Sequence, residues 1–299
     1  MLQTSLRRFQ EVVRCGSIRA AADRLFVTPS ALSRELQKLE EELGVSLFER
    51  RSRGMALTAE GKVYLNHVRD VLNGEARMRS ELDALQNLHR GQVQLLTVEG
   101  YASDYLAPAV AQFQQRYPHI RFSLRITHAA AVVAGIASGE ADIGLIFNFT
   151  PHEEMRSVLH LNVPLLAVMA PEHPLARRKS LSLEQLSGHR IALPDNSFGV
   201  RRMIDLQCNL SKVHLIPVLE ANSLAVLRSF ARNGGGVTLL SQMSVRSELK
   251  HDELVAVPLD EPLLCQGGVD VCVLAERKLP VAAMAFLDHL TGSQLRSEV

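Results

Sequence analysis

The stretch from Ser17 to Glu42, S-I-R-A-A-A-D-R-L-F-V-T-P-S-A-L-S-R-E-L-Q-K-L-E-E-E, constrains the fold most. It reads as two helices joined by a tight turn. Ser17 is a good N-cap for the first, and Ala20, Ala21, Ala22 and Leu25 follow it. The small alanines let another backbone come close. Phe26-Val27 makes the turn. Thr28 then caps the second helix, with Pro29 at its first position, where a missing N–H costs nothing. Leu32, Leu36, Leu39 and Leu43 recur at spacings of four, three and four and form one apolar stripe. Ser30, Ser33, Arg34, Gln37 and Lys38 fall on another side; all are hydrogen-bonding or cationic and none is acidic. A helix with such faces suits the major groove of DNA; the alternative is an ordinary surface helix of a bundle whose charges are solvated.

The flanks narrow the choice. Upstream, Leu6, Phe9 and Val13 make a third helical stripe that stops at Gly16. Downstream, G-V-S-L-F-E-R-R-S-R-G-M-A-L-T runs from Gly44 to Thr58. Two short apolar runs there bracket Arg50, Arg51, Arg53 and Gly54, which predicts a hairpin with a basic tip able to reach phosphates or the minor groove. Three helices and a basic wing make a winged helix-turn-helix.

This segment resembles the N-terminal domain of LysR-type transcriptional regulators. The residues that carry the resemblance are Phe9, Gly16-Ser17, Ala21-Ala22, Leu25, Pro29-Ser30-Ala31-Leu32-Ser33, Leu39-Glu40, Leu43-Gly44, Leu47-Phe48, Arg50, Leu57-Thr58 and Gly61. Phe26 departs from the pattern, since a polar residue or histidine is common there.

Net charge is +1, so DNA affinity has to come from a local patch, and Arg50 to Arg53 is the densest cluster near the helix pair. A chain of 299 residues with 46% hydrophobic content suits two or three domains with real cores. The N-terminus lacks an apolar signal core and no run approaches a membrane span, so a cytoplasmic protein is expected. Cys15, Cys208, Cys265 and Cys272 show no CxxC or zinc spacing, and reduced thiols are expected.

After Thr58 a long helix is predicted, with Leu65, Val68, Leu72, Leu82, Leu85 and Leu88 on one stripe. Such a helix needs a partner, most simply the same helix of a second subunit. The resemblance implies the same, because this is the family's linker helix. Gly91 is expected to end it as a hinge. Strands and helices then alternate, which predicts an α/β domain with a mostly parallel sheet covered by helices. Strands are expected at V-Q-L-L-T-V, I-R-F-S-L-R-I, I-G-L-I-F, V-P-L-L-A-V-M, R-I-A-L-P, H-L-I-P-V-L, V-T-L-L and from Val269 to Leu274. Helices are expected at Ser103 to Tyr117, Ala129 to Ser138, from about Val200, at Ser223 to Arg232 and at Pro280 to Leu290.

This half is similar to the family's effector domain, itself like the two-lobed (type II) periplasmic binding proteins. The marks are Tyr117-Pro118, Gly139-Glu140-Ala141-Asp142-Ile143-Gly144-Leu145, His173-Pro174-Leu175-Ala176 and the glycines before Val237, with Ser241 where proline is common. The resemblance implies a winged helix-turn-helix over 1–58, a linker helix over 59–90 and an effector domain over 91–299. It divides the last into subdomain I, about 93–162 and 267–299, and subdomain II, about 163–266.

In open α/β sheets ligands bind beyond the carboxyl ends of the strands, where helix N-termini offer free N–H groups. That rule selects Gly100, Tyr101 and Ser103 after the first strand, Thr127 and His128 after the second, and Asn148 and Phe149 after the third. Across the cleft it selects Asn196, Ser197 and Phe198, then Asn222 and Ser223. Phe147 joins the aromatic residues as a possible apolar wall. Ser103, Ser197 and Ser223 also sit where helix caps sit, and the two roles are compatible. Arg201 and Arg202 could balance an acidic effector or lie solvated, and Glu99 would oppose an anion, so the effector's charge stays open. His128, His152, His160 and His173 have no metal-ligand spacing, and neither a nucleophile elbow nor a P-loop is present, so no metal, cofactor or catalytic residue is expected.

The reading is a one-component transcriptional regulator, not an enzyme. Ser33, Arg34 and Gln37 are expected at the bases or groove, Thr28, Ser30 and Lys38 at phosphates, Pro29 within the same DNA-binding set, and Arg50, Arg51 and Arg53 in the wing. Its partners would be double-stranded promoter DNA, a small-molecule effector, itself as a homodimer through the linker helix and, as the resemblance implies, a homotetramer, with RNA polymerase as a further contact. A solute-binding protein and an enzyme on a binding-protein fold are the competing classes.

Overall fold

Hydroxyl groups mark where the first helices begin. The structure is a computed structural model and describes residues 2–51, 54–85, 91–150, 152 and 154–294. It divides into two units, Met1–Leu82 and Asp83–Val299. In the first, helix α1 spans Leu2–Cys15 and α2 spans Ile18–Leu25, with Ser17 accepting from Ala20 N at 3.4 Å. Helix α3 spans Pro29–Leu43; Thr28 accepts from Ala31 N at 3.3 Å and Pro29 takes the first turn. Helix α2 ends on Phe26 at φ 54° and α3 on Gly44 at φ 69°, both left-handed. Glycine adopts that conformation without strain, while a side chain there costs about 1–2 kcal/mol.

Strands β1 (Phe48–Arg51) and β2 (Gly54–Leu57) pair antiparallel as the wing. Helix α4 spans Ala59–Leu85, with Thr58 accepting from Gly61 N at 2.9 Å and donating to Ser46 O at 2.7 Å. Gly61 has to be glycine: a Cβ would lie 2.0 Å from Leu47 O. Leu6, Phe9, Val12, Ala21, Ala22, Leu32, Leu36, Leu47, Leu65 and Val68 form the core. The Phe9 ring meets Phe48 at 5.1 Å and the edge of Tyr64 at 4.9 Å. Glu40 Oε1 accepts from Leu47 N at 2.6 Å and Phe48 N at 3.1 Å, tying the base of the wing to α3. Each fully buried leucine adds about 1.5–3 kcal/mol. The apolar stripe of α3 weakens toward its end. Leu39 is partly buried, and Leu43 is 44% exposed because the chain turns away at Gly44.

In the second unit β3 spans Gly91–Thr97. Gly91 is the first residue of this strand; Leu88 and the rest of 86–90 lie outside the described residues. A 3-10 turn, Glu99–Tyr101, and a π turn, Ala102–Leu106, lead into α5, Ala107–Arg116. The expected helix at Ser103 thus begins earlier, and Ser103 lies exposed within the π turn, not at an N-cap. Then come β4 (Ile120–Ile126), α6 (Ala129–Ala137), β5 (Ile143–Phe147), β6 (Met155–Asn162), β7 (Leu165–Met169), α7 (Leu183–Ser187) and β8 (Ile191–Pro194). The chain continues with α8 (Gly199–Ser211), β9 (Leu219–Ala221), α9 (Leu224–Arg232), β10 (Val237–Ser241), α10 (Arg246–Lys250), β11 (Val255–Pro258), β12 (Gly268–Leu274) and α11 (Val281–His289). Of the strand expected over H-L-I-P-V-L, only the end pairs: Val218 N donates to Ile191 O at 2.9 Å and β9 begins at Leu219.

Two five-stranded sheets result, ordered β4-β3-β5-β12-β6 and β11-β7-β10-β8-β9. Each is half parallel and half antiparallel, not mostly parallel. In the first, β12 returns from the far end of the chain to pair antiparallel with both β5 and β6. In the second, β7 pairs antiparallel with β10 and β11. Strands β5 and β10 are buried along their whole length because helices cover both faces. Ile143, Leu145 and Phe147 face the main core, whereas Ile146 packs with Val132 and Ile136 of α6.

Candidate DNA-binding surface and effector cavity

The polar side of α3 is open. Thr28, Pro29, Ser30, Arg34, Gln37 and Lys38 are exposed and Ser33 is half-buried, while Leu32 and Leu36 are buried beneath them. The Arg34 Nε lies 3.4 Å from Ser30 O, a weak bond that leaves most of the guanidinium's donors available. Lys38 lies 3.8 Å from Glu42 one turn on, a surface pair worth little. The acidic residue within this stretch, Glu35, is turned to Arg8 of α1. Arg50 and Arg51 lie on β1, opposite Met55 and Gly54. Arg53 falls outside the described residues. Phe26, 94% exposed, projects from the turn just before α3.

The second unit holds a cavity of about 340 Å³. Gly100, Tyr101, Thr127, His128, Ser197, Phe198 and Asn222 line it, together with Phe147. So do Val98, Glu99, Ile126, Val200, Leu224, Leu240, Ser241 and Ser244. The walls come from both sheets: the turns after β3 and β4 on one side, and the starts of α8 and α9 with the end of β10 on the other. Tyr101 is buried, and burial pushes its phenol above the ordinary range. His128 also caps α6, its Nδ1 accepting from Ala131 N at 3.3 Å.

Other selected residues lie elsewhere. Asn148 and Phe149 line a separate, shallower cavity of about 430 Å³ with Met155, Ser157, His160 and Asp270. Asn148 is held by backbone geometry: at φ 49° it donates its N–H to Gly268 O at 2.7 Å and accepts from Gly268 N at 2.8 Å. It clasps the end of β5 to the start of β12. Ser103, Asn196 and Ser223 line neither cavity. Ser197 donates its hydroxyl and its N–H to Asp195 Oδ1, at 2.5 and 2.9 Å, and the Ser197 hydroxyl holds the Asp195 carboxyl below its usual range. Neither Ser197 nor Ser223 caps its helix with its side chain. Arg201 is committed to Asp205, Glu220 and Pro194 O; Arg202 is exposed. Leu240, Ser241 and Ser244 were missed, although the strand-end rule applied to V-T-L-L would have reached them.

Burial pushes the Cys272 thiol up to about 12 and raises Cys15 and Cys208 as well, so these thiols are held in the unreactive form near neutrality. Among the described residues no helix is long and apolar enough to cross a membrane.

The family model described as "Bacterial regulatory helix-turn-helix protein, lysR family" matches residues 4–62, and "LysR substrate binding domain" matches 86–294. The chain belongs to the LysR family of transcriptional regulators. Among curated relatives, the transcriptional dual regulator GltC of Bacillus subtilis is 30% identical over 286 residues, 95% of each chain. A full-length OxyR from Pseudomonas aeruginosa shares the fold at TM-score 0.72 and 22% identity, over 97% of this chain and 94% of that one. CbnR, solved in complex with its target DNA, aligns at TM-score 0.60 and 19% identity over 97% of this chain and 99% of that one. Members of this LysR family pair a DNA-binding helix-turn-helix with an effector-binding domain, and this chain is a DNA-binding regulator of that kind with a mixed α/β effector unit.

Proposed function

We propose that α3 enters the major groove of promoter DNA, with Ser33, Arg34 and Gln37 reading base edges, Thr28, Ser30 and Lys38 meeting phosphates, and Pro29 in the same DNA-facing first turn of α3. Arg50, Arg51 and Arg53 would serve the wing. The observation that carries this is the division of α3: leucines buried at 1% and 5% exposure on one side, and an open hydroxyl, amide and guanidinium rim on the other. Arginine reads guanine by two parallel bonds, so Arg34→Ala should relax sequence preference at a cost of about 1–3 kcal/mol. A gel-shift with the promoter beside this protein's own gene, against scrambled duplex, tests it. Untouched binding by Arg34→Ala would mean that α3 faces another way.

In this reading the 340 Å³ cavity takes the effector. It is enclosed by elements of both sheets, so a bound molecule contacts both and biases their relative placement. Residues 1–58 form the DNA-binding domain, 59–90 the linker and 91–299 the effector domain. Homodimerisation through α4 is favoured by its burial pattern: Leu65 and Val68 are buried in their own unit, whereas Met78 and Leu82, four apart, are each 51% exposed. A homotetramer, contact with RNA polymerase and a cytoplasmic location complete the proposal.

A further inference from the structure

Helix α9 starts at the cavity wall, and its first donors are taken by a carboxylate from the turn after β3. Glu99 Oε1 accepts from Leu224 N at 2.9 Å, Ser223 Oγ at 3.2 Å and Ala225 N at 3.4 Å. Glu99 is itself part of the cavity wall. All three bonds fall on one oxygen, and among the described residues Oε2 accepts none.

His128 lines the cavity, but Arg228 and Arg201, on the two helices that start at its wall, are committed elsewhere. Arg228 of α9 donates to Ser244 O at 2.7 Å and pairs with Glu248 at 3.3 Å and Asp104 at 3.7 Å. Arg201 of α8 is held by Asp205 at 2.9 Å and Glu220 at 2.6 Å. Among the described residues, no lysine or arginine lines the cavity. The positive end of the α9 dipole, which would favour an anion, is already met by Glu99. A second carboxylate entering beside it meets like charge in a half-enclosed, weakly screened space. An ammonium or hydroxyl group meets a carboxylate oxygen with an open lone pair, and a charge-assisted bond to it is among the stronger ones. Phe147, Phe198, Leu224 and Leu240 supply the apolar remainder.

We infer that the cavity takes apolar amines and alcohols, with the donor group on Glu99, and rejects carboxylates of the same size. Glu99 is thus a specificity-determining residue. The inference rests on reading the cavity as the effector site.

Benzylamine, benzyl alcohol and benzoate carry one ring and three head groups. Each is titrated into the full chain by calorimetry at matched ionic strength. For the wild type, the amine and the alcohol should bind about tenfold or more tighter than benzoate, a difference of about 1.4 kcal/mol. Glu99→Gln keeps the side chain's size and an acceptor oxygen for Leu224 N. It should weaken benzylamine about tenfold and narrow the gap to benzoate. Benzoate binding as tightly as benzylamine to the wild type, or a ranking unchanged in Glu99→Gln, overturns the inference and leaves the cavity reading in place. No binding of any of the three overturns the cavity reading itself. The wild-type ranking needs no variant, so it decides even if Glu99→Gln folds poorly.

Discussion

Helices α3 and α9 both follow a hydroxyl residue in extended backbone, yet they start in different ways. Thr28 closes the first turn of α3 with its own side chain. Ser223 makes no cap bond to α9 and instead donates to Glu99, which supplies the cap from 124 residues away. The start of α3 is therefore complete within four residues, whatever occupies the effector unit. The start of α9 depends on a side chain that also walls the cavity. A surface that must present fixed groups to DNA is built from local bonds, and a helix beside a ligand cavity is built on a bond that a ligand can perturb.

The widest test of this contrast is whether the two helices belong to separately loosened regions. Leu32 (1% exposed) backs α3 and Leu227 (0%) backs α9. Leu32→Ala and Leu227→Ala should each cost about 2–5 kcal/mol. Hydrogen exchange should show the first loosening α1 to α3 and the second loosening the sheet of β7, β8 and β10. Equal loosening of both units by either variant would break the distinction.

At the next level, Glu99→Ala removes the remote acceptor and leaves the Leu224 amide without its partner. The cost should be about 1–3 kcal/mol, toward the lower end because Glu99 is half-exposed. Faster amide exchange at Leu224 and Ala225, with the start of α3 unchanged, is the expected result. Thr28→Ala should cost about 0.5–2 kcal/mol, read by denaturant unfolding, and Thr28→Ser should restore most of it. If Thr28→Ala proved harmless and Glu99→Ala damaging, local closure of α3 would be the weaker half of the comparison.

The same contrast explains what could be read from the chain alone. Thr28, Pro29 and the leucine spacing lie within one helix, so α3, its cap and its two faces are legible residue by residue. The strand-end rule is also local, and Gly100, Thr127, Ser197, Phe198 and Asn222 follow from it. Asn148 satisfies that rule as well, but its bonds go to Gly268, 120 residues on, and no local pattern signals a clasp of that span. The sheets fail the mostly parallel expectation for a related reason. Alternation of strand and helix implies parallel neighbours, and the antiparallel partner β12 comes from the end of the chain. Glu99 was visible as an acidic residue near the cleft, but its bonds to α9 span more than 120 residues and belong to tertiary structure.

Helix ends extend the comparison to its smallest effect. Gly44 and Phe26 close α3 and α2 in the left-handed region, each with its N–H bonded back into the helix. Gly44 has no Cβ to strain, and Phe26 does. The Phe26 ring is 94% exposed, so replacing it removes almost no packing. Asparagine tolerates this conformation far better than phenylalanine. Phe26→Asn should therefore raise the stability of the DNA-binding unit by about 0.5–1 kcal/mol, part of the left-handed penalty, with a higher unfolding midpoint. A gain in stability with unchanged DNA affinity would mean that the ring serves neither fold nor binding. A gain accompanied by weaker binding to the cognate duplex would show that the strain is kept to hold an apolar group beside the reading helix, where thymine methyls are the apolar feature of the groove. Loss of stability would contradict the account of both helix ends, because a residue freed from strain and from no contacts has nothing to lose.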